Sequence, residues 1–120
     1  MGNVNEAQRY VEAFNAGDAD ALAALMAPGY NYTDRYAGGT LDAEGHLAAI
    51  TDIYDRMPDR RIVVDRILDA GGSQIVEGEW SGTPLAGTTL RTHLVVVLDV
   101  VDDLIASSRA YYREADLAAQ

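Results

Sequence analysis

The side chains of this sequence that best suit acid or base chemistry are a loop aspartate, Asp34, and a strand histidine, His93. A carboxylate at the mouth of an apolar pocket has its charged form disfavoured by desolvation, which makes it a stronger general base. The alternative for Asp34 is an ordinary exposed loop charge beside Arg35. Histidine side chains titrate near neutral pH, which suits proton transfer, but strand alternation directs His93 to the outer face of its sheet unless a bulge intervenes. The second histidine, His46, is expected to face the solvent.

The composition argues against several classes of site and partner. The chain has no cysteine, which removes disulfides, thiolate zinc sites and cysteine nucleophiles and fits a cytoplasmic location. No pair of histidines, and no histidine with carboxylates at ligand spacing, predicts a metal site, and we expect no cofactor. The formal net charge of -10 disfavours nucleic acids and anionic membranes as partners, because Lys and Arg drive phosphate binding. We find no signal-peptide pattern and no apolar run of membrane-spanning length.

The elements that must position these side chains follow from the spacing of apolar residues. Helical spacing predicts three helices in the first half of the chain, at residues 3–16, 19–27 and 42–57, with a short strand at 30–33 between the second and third. The period then changes to two and predicts four long strands, at residues 61–70, 73–82, 88–100 and 104–113. Helices followed by antiparallel strands predict an α+β fold, in a single domain spanning residues 1–120.

A strongly curved antiparallel sheet with three helices across its concave face would form a cone that encloses a pocket. Gly78 lies within a strand and permits the bend or bulge that such curvature needs. Alternation places Val76, Gly78 and Trp80 on the pocket side of one strand, and Ser108, Ala110 and Tyr112 on the pocket side of the last. Trp80 and Tyr112 would supply flat apolar walls with a polar handle each; alternatively, both simply fill the core.

The opposite, convex face of the sheet is also predicted to carry apolar side chains. Val95 and Val97 would lie on the convex side, where a monomer usually shows polar side chains. Exposed apolar strand surface commonly marks an interface, so we expect a two-fold homodimer.

One stretch of the chain resembles a known family. Residues 9–18 (RYVEAFNAGD), continuing through Leu22, Leu25 and Asp34, resemble the opening of bacterial ketosteroid isomerases and, more broadly, of the SnoaL-like polyketide cyclases. Residues 48–54 and 105–112 fit as well, so the resemblance covers most of the chain. It implies the cone-shaped, nuclear-transport-factor-like fold and a pocket for an apolar small molecule. It does not imply one reaction, because this fold hosts many chemistries.

The resemblance also implies roles for individual residues. Tyr10 falls on the tyrosine of the oxyanion hole, Asp34 on the general base that moves a proton between two carbons of the substrate, and Tyr54 on a tyrosine that supports the first by hydrogen bonding. The second oxyanion donor of the isomerases, a protonated aspartic acid, corresponds to Val96, which cannot donate. Losing one such donor typically costs about 2.7–4 kcal/mol of transition-state stabilisation. The aspartate that SnoaL-like cyclases carry after their last-strand tyrosines is replaced by Arg113.

The expected function is cofactor-independent acid/base catalysis, by isomerisation or cyclisation, on an apolar carbonyl compound. The pocket wall is expected to comprise, besides Tyr10, Asp34 and Tyr54, the side chains Met26, Val76, Trp80, Val96, Ser108 and Tyr112. Two alternatives remain open. One is a small-molecule-binding module without turnover, which the valine at position 96 favours. The other is an epoxide hydrolase of the limonene type, for which Ala110 replaces an expected aspartate although Arg91 and Asp34 are present.

Overall fold

Three helices and one six-stranded sheet make up the part of the chain that the computed structural model describes, residues 4–34, 39–113 and 116–117. In chain order the elements are α1 (Asn5–Ala16), α2 (Ala19–Leu25), β1 (Met26–Asp34), β2 (Gly39–Asp42), α3 (Ala43–Arg56), β3 (Arg61–Asp69), β4 (Ser73–Gly82), β5 (Leu90–Val101) and β6 (Leu104–Tyr112). The predicted α+β class and all three predicted helices are confirmed. No helix in these ranges is long and apolar enough to cross a membrane.

The helix ends follow from local chemistry. Helix α1 ends at Gly17, whose φ of 72° is the left-handed conformation that glycine adopts without strain. Asp18 and Asp42 cap α2 and α3, because each carboxylate accepts a hydrogen bond from a backbone N–H in the first turn of its helix. Arg60 binds the same C-terminal end of α1 as Gly17, because its Nη2 donates to the carbonyl of Phe14 at 3.0 Å. These contacts fix where the helices begin and end.

The sheet has the strand order β2-β1-β6-β5-β4-β3. Strands β3 to β6 form the predicted antiparallel meander, and β1 adds to β6 in the parallel direction. Strand β1 is longer than the predicted strand at 30–33 and begins directly after Leu25, so α2 ends two residues earlier than predicted. Pairing with both β2 and β6 gives β1 hydrogen-bond partners on both edges, which local periodicity does not reveal.

The curvature of the sheet depends on Gly78. Strand β3 carries a bulge between Val64 and Arg66, opposite Gly78 on β4. A methyl group at Gly78 would lie 2.3 Å from the carbonyl oxygen of Val63, so only glycine permits this approach of the two backbones. A bulge increases the local twist of a strand pair, as the sequence predicted for this glycine.

We expect Gly78→Ala to lower the free energy of unfolding by about 1–3 kcal/mol, because the added methyl group collides with the backbone of β3. Gly72→Ala is the matched control: Gly72 lies in the turn before β4, with no atom within 4 Å of the corresponding position, and the change there should be within about 0.5 kcal/mol. Urea denaturation measures both. Equal stabilities of the two variants would contradict the role assigned to Gly78.

Candidate functional site

A cavity of about 560 Å³ opens between the helices and the concave face of the sheet. Its wall is mostly apolar and comes from α1, α3 and strands β1 and β3 to β6, with Phe14, Ile50, Ile53, Met57, Ile62, Trp80, Leu90, Leu94, Val96 and Ala110 among its residues. The polar groups in the wall are Tyr10, Tyr32, Asp34, His46, Arg56, Thr92 and Tyr112. An apolar cleft of this size with a few polar groups is typical of small-molecule sites.

Asp34 is the only carboxylate among the described residues that line this cavity. It is the last residue of β1 and only 4% exposed, so the alternative of an exposed loop charge is wrong. Tyr32 donates a hydrogen bond to its Oδ2 at 2.8 Å, and Tyr112 donates to its Oδ1 at 3.1 Å. Two hydroxyl donors stabilise the buried charge and fix the orientation of the carboxylate. Arg35 lies outside the described residues.

Tyr10 reaches the cavity from α1 and is buried. Burial raises the pKa of its hydroxyl far above the ordinary tyrosine value, and the nearby Tyr30 and Tyr54 raise it further. Tyr10 therefore keeps its proton at physiological pH and remains a hydrogen-bond donor.

The expectation that His46 faces the solvent is wrong. It is 4% exposed and forms part of the cavity wall. Its imidazole stacks on Tyr32 with ring centroids 3.8 Å apart, and its Nδ1 lies 2.8 Å from the hydroxyl of Tyr30. Burial lowers the pKa of His46 to about 4, while the neighbouring Asp34 acts in the opposite direction. The sequence did contain evidence for this burial: His46 lies four residues before Ile50, and residues four apart share a helix face.

Trp80, Val96 and Tyr112 line the cavity at the places that strand alternation indicated. Met26, Val76 and Ser108 are not among its lining residues. Met26 begins β1 and packs against the core, Val76 is buried within it, and the hydroxyl of Ser108 lies 2.5 Å from that of Tyr30. Alternation assigned the correct face to Val76 and Ser108 but says nothing about how far along a strand a cavity extends.

Tyr54 does not support Tyr10 as the resemblance implied. Its ring lies under the guanidinium of Arg60, 3.9 Å from ring centroid to Cζ, and it is not among the residues lining the cavity. Its hydroxyl is buried and has no hydrogen-bond partner among the described residues. The implied hydrogen bond from Tyr54 to Tyr10 is therefore absent.

Two other candidates lie outside the cavity. His93 is exposed on the outer face of the sheet, opposite Glu79 in the register of β4 and β5, so no bulge turns it inward. Arg91 forms an ion pair with Glu79 at 3.1 Å on the same face. The arginine considered for an epoxide hydrolase therefore does not reach a ligand in the cavity. No group of three or more His, Cys, Asp or Glu side chains that could hold a metal ion occurs within the described ranges.

Comparison with known proteins places this geometry in a family. The model of the SnoaL-like domain family matches residues 7–108. A hypothetical protein of ketosteroid isomerase-like fold from Catenulispora acidiphila, solved in complex with trimethylamine, is 19% identical, with a TM-score of 0.88 over 97% of this chain and 91% of that one. IdmH, a proposed polyketide cyclase from Streptomyces antibioticus, is 21% identical, with a TM-score of 0.85 over 96% and 94%. An NTF2-like protein from Burkholderia thailandensis is 19% identical, with a TM-score of 0.87 over 98% and 95%. No curated protein matches the chain.

The lowered pKa of His46 should make the free energy of unfolding depend on pH. Its pKa is lowered from 6.5 to about 4 in the folded protein, so between these values the unfolded chain binds the additional proton. The free energy of unfolding should fall as the pH drops through this window, by at most about 1.4 kcal/mol per pH unit from this residue. Between pH 6.5 and pH 4, the free energy of unfolding of His46→Gln should fall less than that of wild type, as measured by urea titrations. His93→Gln, an exposed control, should parallel wild type, and parallel curves for all three proteins would contradict the assignment.

Proposed function

We propose, since the chain belongs to the family of SnoaL-like domains, that its cavity binds an apolar carbonyl compound and that Asp34 moves a proton on it without a cofactor. The observation that carries the proposal is a buried carboxylate, the only one among the described lining residues, which two tyrosine hydroxyls hold in a mostly apolar wall. A general base needs a fixed position and restricted access of water, and the two hydrogen bonds and the mostly apolar wall support this role.

The chemistry would begin at a carbon next to the carbonyl group of the ligand. Asp34 takes the proton, and the electrons of the C–H bond form a carbon–carbon double bond as the carbonyl oxygen becomes negatively charged. Tyr10 stabilises that oxygen by donating a hydrogen bond. The protonated Asp34 then returns the proton to another carbon, which completes an isomerisation. In a cyclisation, the enolate carbon instead attacks a second carbonyl carbon of the same ligand, the π bond of that carbonyl breaks, and its oxygen takes the proton from Asp34. Tyr32 and Tyr112 keep the carboxylate oriented throughout.

A binding module without turnover is the second candidate, and one observation favours it. Val96 lies in the cavity wall where the isomerases carry a second oxyanion donor, and such a donor is worth about 2.7–4 kcal/mol. The same cavity could therefore bind an apolar ligand and leave it unchanged. The epoxide-hydrolase alternative has no comparable support, because Arg91 lies on the outer face.

Asp34→Asn separates catalysis from binding. We expect wild type to accelerate deuterium uptake by β-tetralone, an apolar bicyclic ketone, in heavy water, and Asp34→Asn to slow that uptake by about 10²–10⁴-fold. Binding of β-naphthol, which has the shape of the β-tetralone enol, should hold or tighten because a buried negative charge is gone. Proton NMR follows the exchange and calorimetry follows the binding.

Asp69→Asn is the matched control, since Asp69 is exposed at the end of β3, and it should change neither quantity. If wild type binds β-naphthol but exchanges β-tetralone no faster than buffer, and Asp34→Asn binds β-naphthol equally well, the protein is a binding module.

We also propose that two copies pair through the convex face of the sheet. The strand register places Ile75 beside Val97, and Val95 beside Tyr111, which is 52% exposed in the single chain. The ion pair of Arg109 with Asp99, at 2.7 Å, lies next to this apolar surface. An apolar patch bordered by charges is typical of a protein interface.

A charge at the centre of this face should prevent pairing. We expect wild type to be a dimer by light scattering at micromolar concentration and Val97→Glu to be a folded monomer, because burying an unpaired carboxylate at an interface is costly. Val101→Glu, at the exposed end of β5, is the control and should remain a dimer. A monomeric wild type would refute the pairing.

A further inference from the structure

His46 is a polar group of the cavity wall that has no role in the chemistry described above. His46 is tethered at Nδ1, where the Tyr30 hydroxyl lies 2.8 Å away, and that hydroxyl in turn lies 2.5 Å from Oγ of Ser108. Tyr30 and Ser108 are both buried. The ring of Tyr30 is parallel to the imidazole within 2°, and Tyr32 stacks on the imidazole at 3.8 Å. The imidazole is therefore fixed both in its plane and at one of its nitrogens.

The hydrogens of this chain can be assigned by counting donors. Each hydroxyl has one hydrogen, and a neutral imidazole has one donor and one acceptor nitrogen. If Ser108 donates to Tyr30 and Tyr30 donates to Nδ1, every buried hydroxyl hydrogen has an acceptor. In the reverse direction the hydrogen of Ser108 would have no acceptor among the hydrogen bonds of the described residues. Since buried donors are rarely left unsatisfied, Nδ1 is the acceptor and Nε2 carries the proton.

The protonated Nε2 faces the cavity. Nδ1 points toward Tyr30 and Ser108 in the core, and the two nitrogens of an imidazole point in roughly opposite directions. Nε2 makes no hydrogen bond to any described residue, and it is not one of the buried atoms that lack a partner there. The wall around it is mostly apolar. Burial lowers the pKa of His46 to about 4, so the ring is neutral at physiological pH.

We propose that the Nε2–H of His46 is a second hydrogen-bond donor to the oxygen atom of the ligand, an inference that rests on the proposed function for the class of ligand. A fixed N–H in an apolar cavity selects ligands that carry an acceptor oxygen, such as a ketone, an enolate or a phenol. Because the ring is neutral, it binds this oxygen without forming an ion pair with Asp34.

Nitrogen-15 NMR of the two histidine side chains tests the assignment directly, with the exposed His93 as an internal reference. In the ligand-free protein at pH 7, Nε2 of His46 should show the chemical shift of a protonated nitrogen and Nδ1 that of an unprotonated one. Saturation with β-naphthol should move the Nε2 resonance of His46 and leave His93 unchanged. A protonated Nδ1, or an Nε2 resonance that does not respond to β-naphthol, would overturn the proposal.

Two variants separate a ligand contact from a structural role. The amide of asparagine can occupy the position of Nδ1 but does not reach the cavity, whereas the amide of glutamine can place an N–H near Nε2. His46→Asn should weaken β-naphthol binding about tenfold, the loss expected for one hydrogen bond. His46→Gln should weaken it by less than about threefold. Equal weakening in both variants indicates a structural role and overturns the proposal, as does unchanged binding in both.

The experiments distinguish a failure of the His46 proposal from a failure of the proposed function. If β-naphthol perturbs Nε2 and wild type does not exchange β-tetralone, His46 is a donor in a binding module. If wild type exchanges β-tetralone and His46→Asn leaves both the exchange rate and β-naphthol affinity unchanged, Asp34 acts without His46.

Discussion

The parallel pairing of β1 with β6 is the constraint on which the site depends. It sets Tyr32 opposite Ser108 and Thr33 opposite Arg109, so the carboxylate at the end of β1 comes within reach of Tyr112 on β6. A carboxylate buried without hydrogen-bond donors would cost several kcal/mol. Tyr32 from the same strand and Tyr112 from its neighbour offset that cost, and the pairing thereby makes a charged group tolerable in an apolar wall.

Strand β1 carries three polar side chains on one face, Tyr30, Tyr32 and Asp34, because alternate residues of a strand point the same way. Helix α3 lies against this face and inserts His46 between the first two. The deepest of the three, Tyr30, bonds to Ser108 and His46 and makes no contact with the cavity itself. Asp34, at the end of the strand, lines the cavity and is the group proposed to react with a ligand. The strand therefore supplies both the proposed base and the side chains that fix its surroundings.

The sequence was informative where the physical cause is local. Apolar spacing predicted the three helices and the four-strand meander, and alternation predicted that Trp80 and Val96 face inward and that His93 faces outward. The pairing of β1 with β6 joins residues far apart in the chain and has no periodic signal, so the partners of Asp34 could not be predicted. His46, near the start of the third helix, was expected to face the solvent, although its spacing to Ile50 places it on the buried face of α3.

Tyr10 and Asp34 line the cavity, as the resemblance implied, but Tyr54 does not. In this chain Arg60 occupies the space over the Tyr54 ring and bonds the end of α1. A match to a family's motif therefore does not fix the partner of the matching side chain. The resemblance gives Val96 the place of a hydrogen-bond donor of the isomerases, and the proposed donor His46 comes from another element.

A crystal structure of the protein with β-naphthol bound tests the central claim most directly, because it locates the ligand oxygen relative to Asp34. We expect the naphthol oxygen within about 2.6–3.2 Å of Tyr10 Oη and His46 Nε2, with the neighbouring ring carbon facing the carboxylate of Asp34. A ligand whose oxygen points out of the cavity, with no ring carbon against Asp34, would contradict the assignment of Asp34 as the base.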